Sequence, residues 1–260
     1  MKIIVCVKQV IDTAAKISVK DGKIDAPGSP RVMNPYDEFA LEEALRIKQR
    51  KPDSEITLIS LGPESFVEVL KKGFAMGADN AIHLNDPVFE DLDNLSVAHA
   101  LANAIGTLPF DLILCGRQAI DDDMAQVGPA LAVLLNIPFV SVITGLTFSE
   151  DFTQAQITRQ IEGGSEAFET ALPLLVTCQK GLNEPRLPSL KGIIAAKKKQ
   201  IETLDAKAIG FDVESLGPAR VRQIDLSLPP QRKKGRILEG SLGESLPELV
   251  RLLREEEKVV

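Results

Sequence analysis

Tryptophan is absent from this chain, tyrosine occurs once, and aromatic residues make up 4% of 260 residues. The core must therefore be aliphatic. Cysteine occurs three times, at Cys6, Cys115 and Cys178, and no two of them form a CxxC pair. Together with only two histidines, His83 and His99, this excludes a structural zinc site and a cysteine-bound iron–sulfur cluster, and no metal site is expected. A sparse, odd cysteine set is the usual pattern of a reducing compartment. No apolar run reaches the roughly 18–20 residues of a membrane helix, so membrane insertion is not expected. The opening MKIIVCVKQV is too short in its apolar stretch for a signal peptide, and a cytoplasmic location is expected. Excess positive charge is missing too. Lys plus Arg is 30 against 37 for Asp plus Glu, a net charge of −7, which argues against a nucleic-acid partner.

Short apolar runs alternate with helical patterns over the first 180 residues. Ile3 to Val7, Glu55 to Ser60, Ala81 to Leu84, Leu112 to Cys115, Phe139 to Ile143 and Leu174 to Thr177 read as strands. Pro35 to Lys48, Phe66 to Met76, Leu95 to Ile105 and Ala130 to Leu135 read as helices, the first opened by a proline where no N–H is needed. Asp21-Gly22 marks a hairpin excursion, and Thr147 to Ala171 alternates around Gly163-Gly164 as an antiparallel addition. This order predicts an α/β fold: a mainly parallel, doubly wound sheet with helices on both faces. After Gly181 the pattern changes. Asn183 to Leu190 is a proline-punctuated loop, Lys191 to Ile201 a basic helix candidate, and 202–235 has little periodicity before a helical stripe at Leu246 to Leu253. The expected division is a core over 1–200, including a recognition loop at 182–200, and a C-terminal arm with a terminal helix over 201–260. An arm that cannot bury itself packs on a partner chain.

Parallel sheets bind ligands at the C-terminal ends of their strands. Three such ends precede unusual loops: Cys6-Val7-Lys8, Ser60-Leu61-Gly62-Pro63, and the long Cys115-Gly-Arg-Gln-Ala-Ile-Asp-Asp-Asp-Met-Ala-Gln-Val-Gly-Pro. The last has the strand–glycine–loop–helix form that aims backbone N–H groups at an anion. It is neither GxxxxGK[ST] nor GxGxxG, and Asp121 to Asp123 could be mere helix caps or a metal site without spaced ligands. Three carboxylates beside a phosphate repel it unless they point away. If a phosphate binds here, amides around Ala125 to Gly128 must hold it. No GxSxG is present, His83 and His99 read as structural, and Cys6 and Cys115 read as small core residues, so no catalytic residue is assigned.

The segments KQVIDT at 8–13, MNPYDEFALEEALRIK at 33–48, AMGAD at 75–79, GRQAIDDD at 116–123, LNEPR at 182–186, AKKK at 196–199 and PPQR at 229–232 carry a resemblance to the β subunit of electron transfer flavoprotein, across nearly the whole chain. The resemblance implies an electron carrier rather than an enzyme with its own catalytic groups. It implies a heterodimer with an α subunit, FAD shared with that subunit, and AMP on this one. Acyl-CoA or related flavin dehydrogenases would donate electrons, and a quinone oxidoreductase would accept them. An electron-bifurcating version with its own FAD in the AMP site, reacting with NADH, is the alternative, and a nucleotide-sensing regulator a further one. Carried over by position, the nucleotide contacts fall on Cys6, on Asn34, Pro35, Tyr36 and Asp37, on Leu61, and on Gly116, Arg117, Gln118, Ala119, Ile120, Asp121, Asp122, Asp123, Met124, Ala125, Gln126 and Val127. Leu190 matches the family's anchor leucine. Leu187, Lys197 and Lys198 join it as partner-binding candidates. Arg159 and Gln160 match a stretch near the flavin interface. Where AMP-binding members often have Asn-Gln-Thr-Gly, this chain has Ala125-Gln126-Val127-Gly128, which removes one hydroxyl donor.

Overall fold

Ile3 and Val5 bury themselves in one apolar layer while Ile4 buries itself in another, because successive residues of a strand face opposite sides of its sheet. That alternation organises the molecule. The structure is a computed structural model and describes residues 1–230 and 235–259, so Gln231 and Arg232 of the PPQR segment lie outside the described residues. In chain order the elements are β1 (Lys2–Cys6), β2 (Gln9–Ile11), β3 (Ser18–Lys20), β4 (Lys23–Asp25), β5 (Arg31–Met33), α1 (Pro35–Arg50), β6 (Glu55–Leu61), α2 (Val67–Met76), β7 (Asn80–Leu84), α3 (Asn94–Ile105) and β8 (Leu112–Gly116). They continue with α4 (Val127–Leu134), β9 (Phe139–Phe148), β10 (Gln154–Ile161), β11 (Gly164–Ala171), β12 (Leu174–Cys178), α5 (Leu190–Ala196), β13 (Glu202–Leu204) and α6 (Leu242–Glu255).

The main sheet runs β11-β10-β9-β12-β8-β1-β6-β7-β13. The strands from β9 to β13 in that order are parallel neighbours, and β10 and β11 are added antiparallel. α1, α2 and α5 cover the layer that contains Ile3 and Val5; α3 and α4 cover the layer that contains Ile4 and Ile113. The fold is thus α/β and doubly wound, with helices on both faces. From β1 the chain adds β6 and β7 on one side, then crosses back to place β8 on the other. The strand order therefore reverses between β1 and β8, and a ligand crevice is expected above their C-terminal ends.

Three differences from the sequence reading have physical reasons. The strand at Phe139 does not stop at Ile143. It runs to Phe148, its first half parallel to β12 and its second half antiparallel to β10. Val142 adopts a left-handed φ of 62° at the irregularity between them, where its N–H donates to the Thr177 hydroxyl at 2.9 Å. The basic helix expected over Lys191 to Ile201 is only Leu190–Ala196. There Lys199 folds back to donate to the carbonyls of Ala78 and Asp79, at 2.6 and 3.0 Å, and its ammonium lies 4.8 Å from the Phe74 ring. Third, 202–235 is not wholly irregular. β13 extends the sheet beside β7, and Ala206, Ile209 and Phe211 are buried under α3. Beyond Gly217 the described residues form no regular element until α6. That helix has a Ser241–Glu244 capping box and no buried residue, leaving Leu242, Leu246, Leu249 and Val250 exposed.

Candidate functional site

Above the β1–β8 reversal lies a cavity of about 480 Å³. Its wall takes Cys6, Val7 and Lys8 from the end of β1, Leu61, Gly62 and Pro63 from the end of β6, and Cys115 to Ala119 with Asp122 and Ala125 to Gly128 from the loop after β8. Asn34 and Asp37 enter from the start of α1. The opposite wall is mostly apolar, with Phe66, Phe89, Leu92, Val97 and Leu101, broken by Glu90, Asp91 and Asn94. A slot with one greasy side and one side of backbone amides suits a flat heterocycle joined to an anion.

Asp37 ties three of these loops together. One of its carboxylate oxygens accepts the Lys8 N–H at 2.8 Å. The other accepts the Asn34 side-chain amide at 2.9 Å and the Gly116 N–H at 3.2 Å. Asn34 in turn donates to the Gln118 carbonyl at 2.9 Å and accepts the Ile120 N–H at 3.2 Å. Burial pushes the Asp37 carboxyl up to about 7, against the pull of those three donors and of the Lys8 charge. Gly116 is required by closeness rather than by φ. A Cβ there would meet the Asp37 carboxylate and lie 2.8 Å from the Tyr36 Cβ.

The loop from Asp121 to Gly128 resolves the charge problem posed by its aspartates. The Lys8 ammonium pairs with Asp121 at 2.8 Å and lies 3.7 Å from Asp122. Asp122 also accepts the Met124 N–H, and Asp123 accepts the Gln118 side-chain amide at 2.5 Å. With the acidic groups thus engaged, Asp123 and Ala125 take left-handed φ values of 51° and 54°. A non-glycine residue held left-handed marks an over-determined backbone, and alternation of right- and left-handed residues makes an anion-binding concavity. Among the described residues, no acceptor takes the N–H groups of Ala125, Gln126, Val127 and Gly128. All four residues line the cavity, at the positive end of α4. Gly128 is forced by packing, since a Cβ would come within 2.7 Å of the Thr177 methyl.

The expected positions sort as follows. Cys6, Asn34, Asp37, Leu61, Gly116, Arg117, Gln118, Ala119, Asp122, Ala125, Gln126 and Val127 form part of the wall. Pro35, Tyr36, Ile120, Asp121, Asp123 and Met124 do not line it; Tyr36 packs over Gly116, and Asp121, Asp123 and Met124 are exposed. Phe89, Leu92, Val97 and Leu101 were not legible as site residues, because aliphatic side chains at helical spacing look the same whether they face a core or a ligand. Arg159 pairs with Glu166 across β10 and β11, on the sheet edge away from this cavity. His83 is buried, with Nε2 3.0 Å from the Gly62 carbonyl, as a structural residue.

A second feature lies midway along α1. Asn183 donates to the Phe39 carbonyl and to Glu43, both at 3.0 Å. Arg186 grips Glu42 through Nε at 2.8 Å and Nη2 at 2.9 Å, while its backbone N–H reaches the same carboxylate at 3.1 Å. Burial opposes charge on Glu42, but the Arg186 hydrogen bonds outweigh it and hold the carboxyl below its usual range. Glu43, with burial less well offset, is pushed up. The loop is therefore fixed to α1, yet its leucines face outward: Leu187 is 89% exposed and Leu190 76%. Ile193 and Ile194 continue the apolar surface, and Lys197 and Lys198 are exposed beside it.

The fold and these two features define a doubly wound α/β protein with a crevice at its topological switch point, lined by backbone amides unpaired among the described residues, and a loop fixed to α1 that exposes two leucines. Residues 21–209 match the electron transfer flavoprotein domain. The chain is 41% identical over 261 residues to electron transfer flavoprotein subunit beta of Bacillus subtilis, covering 100% of both chains. It is 42% identical over 250 residues to the subunit of the same name from Megasphaera elsdenii, covering 92% of this chain and 91% of that one. It is also 38% identical over 260 residues to the caffeyl-CoA reductase-Etf complex subunit CarD of Acetobacterium woodii, covering 98% of each. The chain belongs to the electron transfer flavoprotein β-subunit family, whose role is electron transfer. No helix among the described residues is long and apolar enough to cross a membrane.

Proposed function

We propose that this chain is the nucleotide-holding and docking half of a cytoplasmic heterodimeric electron carrier. An AMP occupies the switch-point cavity, and FAD is shared with an α subunit. Electrons come from acyl-CoA or related flavin dehydrogenases and leave to a quinone oxidoreductase. The observation that carries the nucleotide site is the group of four cavity-lining amides at Ala125 to Gly128 that have no acceptor among the described residues. A phosphate supplies that acceptor, and the apolar wall of Phe89, Val97 and Leu101 suits an adenine ring. The backbone amides substitute for the hydroxyl that Val127 lacks. Flavin supplies the one- and two-electron chemistry; the residues of this chain bind, orient and recognise.

Docking rests on the Leu187–Leu190 loop, with Lys197 and Lys198 steering an acidic partner surface and raising its on-rate more than its affinity. Each leucine buried in a partner pocket is worth roughly 1.5–3 kcal/mol, enough for a transient anchor. The arm and α6 expose an apolar stripe that no described residue covers, which supports packing of the region beyond Gly217 on the α subunit.

The test is co-purification with an α subunit, followed by identification of the released nucleotides. One AMP and one FAD per heterodimer are expected. Two FAD would replace this reading by the electron-bifurcating one, and no adenine compound at all would refute the site.

A further inference from the structure

Cys6 and Cys115 enter the reading above only as wall residues, yet their thiols stand together in that wall. β1 and β8 are parallel, with Val5 beside Leu114. The next residues on, Cys6 and Cys115, are therefore neighbours across adjacent strands. Cys115 belongs to the apolar layer of Ile4 and Ile113, and Cys6 packs against that layer, so both side chains leave the sheet on one face. Both line the cavity. Adjacent strands lie about 4.8 Å apart, within the range of about 4.4–6.8 Å between Cα atoms that a disulfide spans. Cys178 is separated from them: it pairs with Gly116 and is buried in the opposite layer. Cys6 is partly exposed and Cys115 buried. The neighbouring Cys6 sulfur, and then burial, push the Cys115 thiol up. Cys6 is thus the thiol that meets an oxidant first, and Cys115 the one that resolves it.

We propose that Cys6 and Cys115 are a peroxide-sensitive dithiol, closing to a disulfide when the cavity is empty and shielded when an adenine nucleotide fills it. The shielding rests on the nucleotide reading above; the dithiol does not. In the first step the Cys6 thiol gives up its proton as its sulfur attacks one oxygen of hydrogen peroxide. An S–O bond forms, the O–O bond breaks, and the departing hydroxide takes the Cys6 proton to become water. In the second, the Cys115 sulfur attacks the sulfenic sulfur of Cys6. The S–S bond forms, the S–O bond breaks, and the hydroxyl leaves with the Cys115 proton as water. Two thiols lose two electrons and two protons, and one peroxide becomes two waters. A bond drawn between adjacent strands is reducible, so a small dithiol reductant reverses it.

The full chain, purified reduced, is treated with hydrogen peroxide with and without saturating AMP, alkylated, digested and mapped by mass. Equilibrium dialysis measures AMP binding separately, and circular dichroism confirms that each variant is folded. Without AMP, a linked Cys6–Cys115 peptide is expected, with Cys178 still alkylatable after denaturation. With AMP, its formation is expected to slow at least tenfold. Cys115→Ser should stop at a sulfenic acid on Cys6 that dimedone traps, and Cys6→Ser should leave Cys115 unoxidised. Both thiols remaining free in the wild-type chain, or Cys115 pairing with Cys178, would overturn the dithiol. AMP that binds without slowing oxidation would overturn the shielding. A disulfide that forms in a chain that does not bind AMP would uphold the dithiol and overturn the nucleotide reading.

Discussion

Replacing Arg186 by alanine removes the grip that holds the docking loop to α1. Two side-chain hydrogen bonds to Glu42, at 2.8 and 2.9 Å, disappear, while the backbone N–H bond at 3.1 Å survives. Removing one partner of a fully buried pair costs about 3–5 kcal/mol, whereas an exposed pair is worth about 0–1 kcal/mol. The Glu42 side chain is 4% exposed but that of Arg186 is 33% exposed, which places the loss near the middle, at about 2 kcal/mol. Arg46, 3.4 Å from Glu42, offsets only part of it. The sign with pH also follows. In the wild type the Glu42 carboxyl is held low, so the stability it adds is present above its unfolded pKa and lost as pH falls through the lower folded one. Without Arg186, burial dominates and the carboxyl moves up, so the variant loses relative stability as pH rises towards neutrality. Urea unfolding at pH 5 and pH 7.5 measures this. Thermolysin cleavage at Leu187 and Leu190 reports loop release, expected to be faster in the variant. An unchanged urea midpoint together with unchanged cleavage would refute the clamp.

Leu190→Ala should raise KM for the electron-donating dehydrogenase about tenfold or more, by the burial value of one leucine, with the thermal midpoint unchanged; equal KM values would remove the anchor. Asp37→Asn addresses the buried carboxyl. With a folded pKa of about 7 against 3.8 unfolded, the native state keeps a proton that the unfolded chain gives up. Wild-type stability relative to Asp37→Asn should therefore fall by roughly 3 kcal/mol between pH 4 and pH 7, at about 1.36 kcal/mol per unit over the part of that range in which only the unfolded group is ionised. A flat difference in unfolding free energy across that range would contradict it. Gly116→Ala should cost about 1–3 kcal/mol by overpacking against Tyr36 and weaken AMP retention by displacing Asp37, as calorimetry would show. Ala125→Gly relieves a left-handed residue and should leave AMP affinity intact within a few-fold; loss of AMP binding there would show that the methyl, not the amide array, holds the ligand.

The parallel sheet was readable because each buried strand is a short run of Val, Ile and Leu between turn signals. The loop after Cys115 was readable because glycine, polar residues and a helix start follow a strand end. β13 was not readable. Glu202 and Thr203 give no buried pattern, and the strand exists because β7 offers an open edge. α5 is shorter than its charge pattern implied because Lys199 finds two backbone carbonyls, a tertiary contact that no local propensity contains. The aspartates at 121–123 posed a repulsion whose answer was visible only in space, since Lys8 lies more than a hundred residues away in the chain. The Leu187 and Leu190 pair was identifiable as exposed loop leucines, but their fixed presentation depends on Glu42 and Glu43, buried acids that helical periodicity places on an ordinary surface.

One helix carries both halves of the molecule's work. Asp37, in the first turn of α1, closes the loops around the cavity, and Glu42, five residues further along, holds the loop of Leu187 and Leu190. A rise of 1.5 Å per residue puts them about 7.5 Å apart along one rigid rod. Both clamps therefore hang on one short stretch of one helix, and a change that unwinds that stretch would release the cavity loops and the loop of the leucines together.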